Sequence, residues 1–91
     1  MELTEILQAA IAQNASDIVL KDMMPPMFRI RGELTPYNGV PPLTVDTMQR
    51  AADAILSDDT RRMRFATERH ADVAYDLPDV GRFRVNVFRQ R

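Results

Sequence analysis

The sequence predicts an α+β domain with helices packed on an antiparallel sheet. Three observations carry this expectation. Apolar side chains in residues 3–11 recur with the period of a helix, and residues 28–31, 72–77 and 82–88 alternate with the period of a strand. Clusters of proline, glycine and asparagine separate these segments at short intervals. With 91 residues there is room for one small domain, which buries roughly 60–65% of the surface of its unfolded chain.

The first helix follows from Leu3, Ile6, Leu7, Ala10 and Ile11, which place one apolar stripe against a core while Glu2, Glu5, Gln8 and Gln13 stay wet. Asn14 ends it, because asparagine tolerates the left-handed conformation at a helix C-terminus. Asp17-Ile18-Val19-Leu20 reads as a short interior strand. Pro25-Pro26 forces an extended path, after which Phe28-Arg29-Ile30-Arg31 alternates and Gly32-Glu33 supplies a turn into Leu34-Thr35-Pro36-Tyr37. Pro36 confines that strand to an edge or a strand end.

Thr44 is the expected N-cap of a second helix, with Asp46 in its first turn and Val45, Met48, Ala52, Ile55 and Leu56 as its buried stripe. Ser57 is expected to cap a third helix that carries Asp58 and Asp59 in its first turn. Arg61, Arg62 and Arg64 on this helix form either an anion-binding patch or a solvated face paired with Asp58, Asp59 and Glu68. The paired reading is the simpler. Val73, Tyr75 and Leu77 alternate with Asp72, Ala74 and Asp76, and Pro78-Asp79-Val80-Gly81 is a turn. In the last strand Phe83, Val85 and Val87 fit a core face; Arg82, Arg84 and Asn86 line the opposite one, with Phe88 after them.

Composition narrows the chemistry. Hydrophobic residues make up 45% and charged residues 27%, which excludes wholesale disorder. The absence of cysteine removes disulfides, thiolate metal sites and thiol nucleophiles. No metal site is expected, since His70 is the lone histidine and stands at a helix-to-strand junction. Gly32, Gly39 and Gly81 are isolated, and Lys21 follows none of them, so no phosphate-cradling P-loop exists. The acidic start and the lack of a long apolar run point to a soluble, cytoplasmic domain without membrane insertion.

Charge is unevenly placed. Residues 1–81 hold eight basic and thirteen acidic side chains, whereas residues 82–91 hold four arginines and no acid. Arg82 and Arg84, two apart on a strand, project from the same face. Acids of the neighbouring strand, Asp72 and Asp76, could neutralise them. Alternatively they reach a phosphate on another protein surface, where guanidinium groups make bidentate, charge-assisted bonds.

Three blocks carry a family resemblance: Ala15-Ser16-Asp17-Ile18, Pro25-Pro26-Met27-Phe28-Arg29-Ile30-Arg31-Gly32-Glu33-Leu34, and Gly81-Arg82-Phe83-Arg84-Val85-Asn86-Val87-Phe88-Arg89-Gln90-Arg91. In order and spacing they resemble the amino-terminal domain of twitching-motility ATPases of the PilT and PilU type, within the type II/IV secretion ATPases. The resemblance implies a PAS-like curved antiparallel sheet with helices on one face. It implies that the domain precedes a RecA-like ATPase domain and packs on the neighbouring subunit's ATPase domain in a homo-hexamer that drives type IV pilus retraction. Arginines of this domain would reach the neighbour's nucleotide. Arg84 is the first candidate, Arg82 the second and Arg91 a third. The resemblance also implies ATP and Mg²⁺ as cofactors of the full-length enzyme, though not of this stretch alone. A platform protein of the inner membrane is implied as a partner, with the domain at the cytoplasmic face of that membrane.

Two departures are visible. Val19 stands where the family usually has histidine. The sequence also stops at Arg91, ahead of the expected closing strand and ATPase domain; such a piece should hydrolyse nothing by itself and should expose a sheet edge. Two rival functions remain. One is a stand-alone PAS-like sensor whose Met23, Met24, Met27 and Met63 line a ligand pocket. The other is a nucleic-acid module using the terminal arginines, which the net charge of -1 disfavours.

Overall fold

The computed structural model describes residues 3–38, 40–77 and 81–89. Helix α1 (Leu3–Ala12) buries Ile6, Leu7 and Ala10, and Asn14 terminates it at φ 58°, as its side chain suggests. Strand β1 (Asp17–Lys21) follows. Strands β2 (Met27–Ile30) and β3 (Glu33–Pro36) form a hairpin. Its two-residue turn is Arg31-Gly32, with φ of 52° and 83°. Two positive φ values in sequence are those of a type I′ turn, which matches the twist of the flanking strands. The turn thus sits one residue earlier than Gly32-Glu33.

Helix α2 (Val45–Ile55) starts at Thr44, whose hydroxyl accepts from the Thr47 N–H. Its buried stripe is Met48, Ala51, Ala52 and Ile55, continued by Leu56, while Val45 turns outward. Helix α3 (Asp59–Glu68) is capped by Asp58 rather than Ser57: the Asp58 carboxylate accepts from the Arg61 N–H at 2.7 Å. A carboxylate caps as well as a hydroxyl and adds a favourable charge at the helix start. Arg69, at φ 66°, closes α3, and His70 opens strand β4 (His70–Leu77), the junction expected for it. Strand β5 (Gly81–Phe88) is the last described element.

The five strands form one sheet in the order β3-β2-β1-β5-β4. Pro36 accordingly lies in an edge strand. The α+β class is as expected, with one difference in the sheet: β1 and β5 pair in parallel, Asp17 beside Arg84 through Lys21 beside Phe88. The sheet is therefore mixed, not antiparallel throughout. Alternation reveals which face a residue occupies but not which strand lies beside it. The long excursion through two hairpin strands, two helices and β4 returns β5 in the same direction as β1.

One face of this sheet builds the core. Ile18, Leu20, Phe28, Phe83, Val85 and Val87 join Ile6, Leu7 and Ala10 of α1, the α2 stripe and Phe65 of α3 in one apolar cluster. Each large side chain so buried contributes roughly 1.5–3 kcal/mol. The expected core face of β5 is confirmed: Phe83, Val85 and Val87 are buried, and Arg82 and Arg84 are exposed.

Candidate functional site

The opposite face collects the polar residues. Residues paired across neighbouring strands share a face, so the register sets Arg29, Asp17, Arg84 and Ala74 in one row across β2, β1, β5 and β4. Asp72 lies two residues from Ala74 on the same face of β4.

Asp17 is the hub of this row. Its side chain is only 14% exposed, with Oδ2 3.8 Å from Arg29 Nε and Oδ1 3.7 Å from Arg84 Nε. Ser16 Oγ donates to Oδ2 at 2.7 Å. The Ser16 backbone ties the neighbouring strands together, its N–H donating to Arg29 O at 3.0 Å and its carbonyl accepting from Arg84 N–H at 3.3 Å. Here the Ser16-Asp17 pair acquires a physical role: the backbone of one residue and the carboxylate of the next register β2 and β5 on β1.

Arg84 completes the network. Its Nη2 donates to Asp72 Oδ2 at 3.2 Å, and its side chain remains 67% exposed. Two arginines and two aspartates leave the cluster formally neutral. Arg84 therefore projects outward, as the alternation required, but local acids balance it, Asp72 of the neighbouring strand among them. Of the two readings for this arginine, the neutralised one describes the isolated domain. Pairs this exposed contribute about 0.2–1 kcal/mol each, so a polyphosphate could displace them. Arg82 is also exposed; it faces Asp76 in the register but makes no ion pair among the described residues. Arg91 lies outside the described residues.

Other charged residues have structural roles. Arg61, Arg62 and Arg64 pair with Asp58, Asp59 and Glu68 at 3.4, 3.8 and 3.2 Å, the paired face anticipated for α3. Arg62 additionally donates to the carbonyls of Leu56 and Asp53 at 2.7 and 2.8 Å, satisfying acceptors that the end of α2 leaves over. Arg89 reaches Gln49 of α2 at 3.1 Å. No local pattern signalled these last contacts, nor the part played by Asp17 and Arg29, because they join elements distant in sequence.

The methionine pocket does not form. Met23, Met24 and Met63 are exposed, and Met27 is half-buried on the arginine face. A cleft of about 250 Å³ between α3 and β4 is lined instead by Leu56, Phe65, Ala71, Val73 and charged side chains at its rim. The described residues include no group of three or more His, Asp or Glu placed to hold a metal, and no helix long and apolar enough to cross a membrane.

Comparison with known proteins finds similarity to pilus ATPases. The chain is similar to the type IV pilus retraction ATPase PilT of Pseudomonas aeruginosa, 36% identical over 90 residues, covering 99% of this chain and 26% of the relative. It is also similar to the type IV pilus ATPase PilU of the same organism, 26% identical over 91 residues, covering 100% of this chain and 23% of the relative. The crystal structure of a pilus retraction motor PilT with bound ADP superposes with a TM-score of 0.74 at 33% identity, over 97% of this chain and 25% of that one. The chain thus spans about a quarter of the length of the proteins it matches. No family model matches it.

Proposed function

We propose that this chain, which in sequence and fold matches the amino-terminal domain of PilT/PilU-type ATPases, is the interface domain of a cytoplasmic type IV pilus retraction motor. In this reading a closing strand and a RecA-like ATPase domain follow it, and it packs on the ATPase domain of the next subunit in a hexamer. The motor works at the cytoplasmic face of the inner membrane against a platform protein. Arg84 and Arg82 reach the nucleotide bound by that neighbour, with Arg91 a third candidate.

The supporting observation is the placement of Arg84. It stands on the face opposite the helices, 67% exposed, and is held only by exposed or shared carboxylates. The sequence has no P-loop, so in this reading another fold cradles the phosphates and the domain contributes from outside it. The donor chemistry suits this role, because a guanidinium is permanently charged and presents N–H groups in a fork that matches phosphate oxygens. ATP with Mg²⁺ would supply the phosphoryl group for transfer. Arg84 would exchange Asp72 and Asp17 for phosphate oxygens and stabilise the charge spread over them during transfer. The carboxylates then keep the arginine extended and localised until the two domains meet.

The test is a chimera in which this domain replaces the amino-terminal domain of the P. aeruginosa PilT relative. An Arg84→Ala change should cut ATP turnover by about 10³-fold or more, while the unfolding midpoint of the isolated domain falls by no more than the roughly 4–8 °C that losing its two exposed ion pairs accounts for. Turnover equal to that of the parent chimera would remove Arg84 from the nucleotide site.

A further inference from the structure

The three inner strands of the sheet bring two guanidinium groups to one carboxylate: Arg29 of β2 and Arg84 of β5 flank Asp17 of β1 on the face away from the helices. The nucleotide role of Arg84 makes no use of Arg29. We infer that Arg29 is a positioning residue for Arg84, sharing the charge of Asp17 so that this carboxylate does not retain Arg84 when a phosphate is offered. The inference rests on the reading of Arg84 as the arginine that reaches a neighbour's nucleotide.

The geometry divides Asp17 between its two cations. Oδ2 lies 3.8 Å from Arg29 Nε and accepts from Ser16 Oγ at 2.7 Å, whereas Oδ1 lies 3.7 Å from Arg84 Nε. Arg84 can therefore leave Oδ1 while Oδ2 keeps both of its partners. Arg29 is anchored independently of Arg84, because its Nη1 donates to the carbonyl of Gly32 in the hairpin turn at 3.1 Å. It stays beside Asp17 when Arg84 departs. Both arginines stand beyond hydrogen-bond distance from Asp17, so each acts on it through charge.

Charge decides the direction of the effect. Arg84 sits in the field of two carboxylates, Asp17 and Asp72, and of one guanidinium, that of Arg29. These three groups together carry one negative charge; without Arg29 they carry two. Asp17 is 14% exposed, and among the described residues Arg84 would then be its one remaining ion-pair partner. An enclosed carboxylate resists losing its last cation. Loss of Arg29 thus tightens the hold on Arg84 and makes its move to phosphate less favourable.

The test uses the chimera in which this domain replaces that of the P. aeruginosa PilT relative. Arg29→Gln should lower kcat/KM for ATP by about two- to fivefold, the range of a solvent-screened charge pair. Arg29→Lys, which keeps the charge, should recover most of that loss. In an Asp17→Asn background Arg29→Gln should lose most of its effect, since no carboxylate is left there to neutralise. Support of the hairpin turn alone, or direct contact of Arg29 with phosphate, predicts an equal loss in both backgrounds, and that result would overturn the inference. So would a parental kcat/KM for Arg29→Gln. Arg84→Ala in the same chimera separates the two levels. A large loss there beside an unaffected Arg29→Gln discards the positioning role alone, whereas parental turnover of Arg84→Ala discards the nucleotide reading and this inference with it.

Discussion

Replacing Asp17 with asparagine isolates the electrostatic contribution of the arginine row. Asparagine keeps the shape and can still accept from Ser16 Oγ, so the change removes mainly the two ion pairs, at 3.8 Å to Arg29 and 3.7 Å to Arg84. Asp17 is largely enclosed, but its partners are 44% and 67% exposed. Each pair therefore counts near the value of a solvent-exposed bridge, about 0.2–1 kcal/mol. Their sum is about 1 kcal/mol, which lowers the unfolding midpoint of a domain this size by roughly 4–8 °C. The measurement is a double-mutant cycle of Asp17→Asn and Arg84→Gln in urea unfolding followed by circular dichroism. Coupling of about 0.2–1 kcal/mol is expected at low ionic strength. It should fade near 1 M salt, where the screening length falls to about 3 Å. Zero coupling at low salt would show that the row does not persist in solution. A loss above about 3 kcal/mol would show that Asp17 behaves as a buried charge and that the exposed-pair reasoning is wrong.

Other perturbations address separate parts of the fold. Leu20→Ala, at a fully buried position of β1, should cost about 2–5 kcal/mol in urea unfolding; a loss below about 1 kcal/mol would contradict the placement of β1 in the core. Thr44→Ala removes the oxygen that receives the Thr47 N–H and should cost about 1 kcal/mol, whereas Ser57→Ala should be nearly silent because Asp58 holds the cap. Arg31→Asn should raise the unfolding midpoint, since Arg31 sits at φ 52° and asparagine tolerates that conformation better; a lower midpoint would argue against the type I′ turn.

What the sequence made legible was local. The α1 stripe, the alternation of β5, the Thr44 cap and the ion-paired face of α3 each depend on residues within a few positions of one another, where periodicity and capping act directly. Asp72 was identifiable as a partner of Arg84 because β4 ends at Leu77 and β5 begins at Gly81, a sequence separation so short that it limits their register. Asp17 was not, although it is the better enclosed of the two acids. Its meeting with Arg84 depends on the parallel pairing of β1 with β5, and a period of two carries no information about which strands become neighbours. The one-residue displacements of the hairpin turn and of the α3 cap have a simpler origin. Gly32 can occupy either central position of a tight turn, and Ser57 and Asp58 are both competent caps.

The parallel seam has a consequence for how the polypeptide reaches its native state. Residues 17–21 rest beside residues 84–88, so the earlier segment waits for one that leaves the ribosome much later before its flank is covered. Until then the apolar edge of β1 has no neighbour, and no local hairpin can substitute for β5. Acquisition of structure should thus be late and cooperative during translation, governed by the closure of one very long loop. The nascent chain is most vulnerable to misassociation just before Phe83 and Val85 emerge.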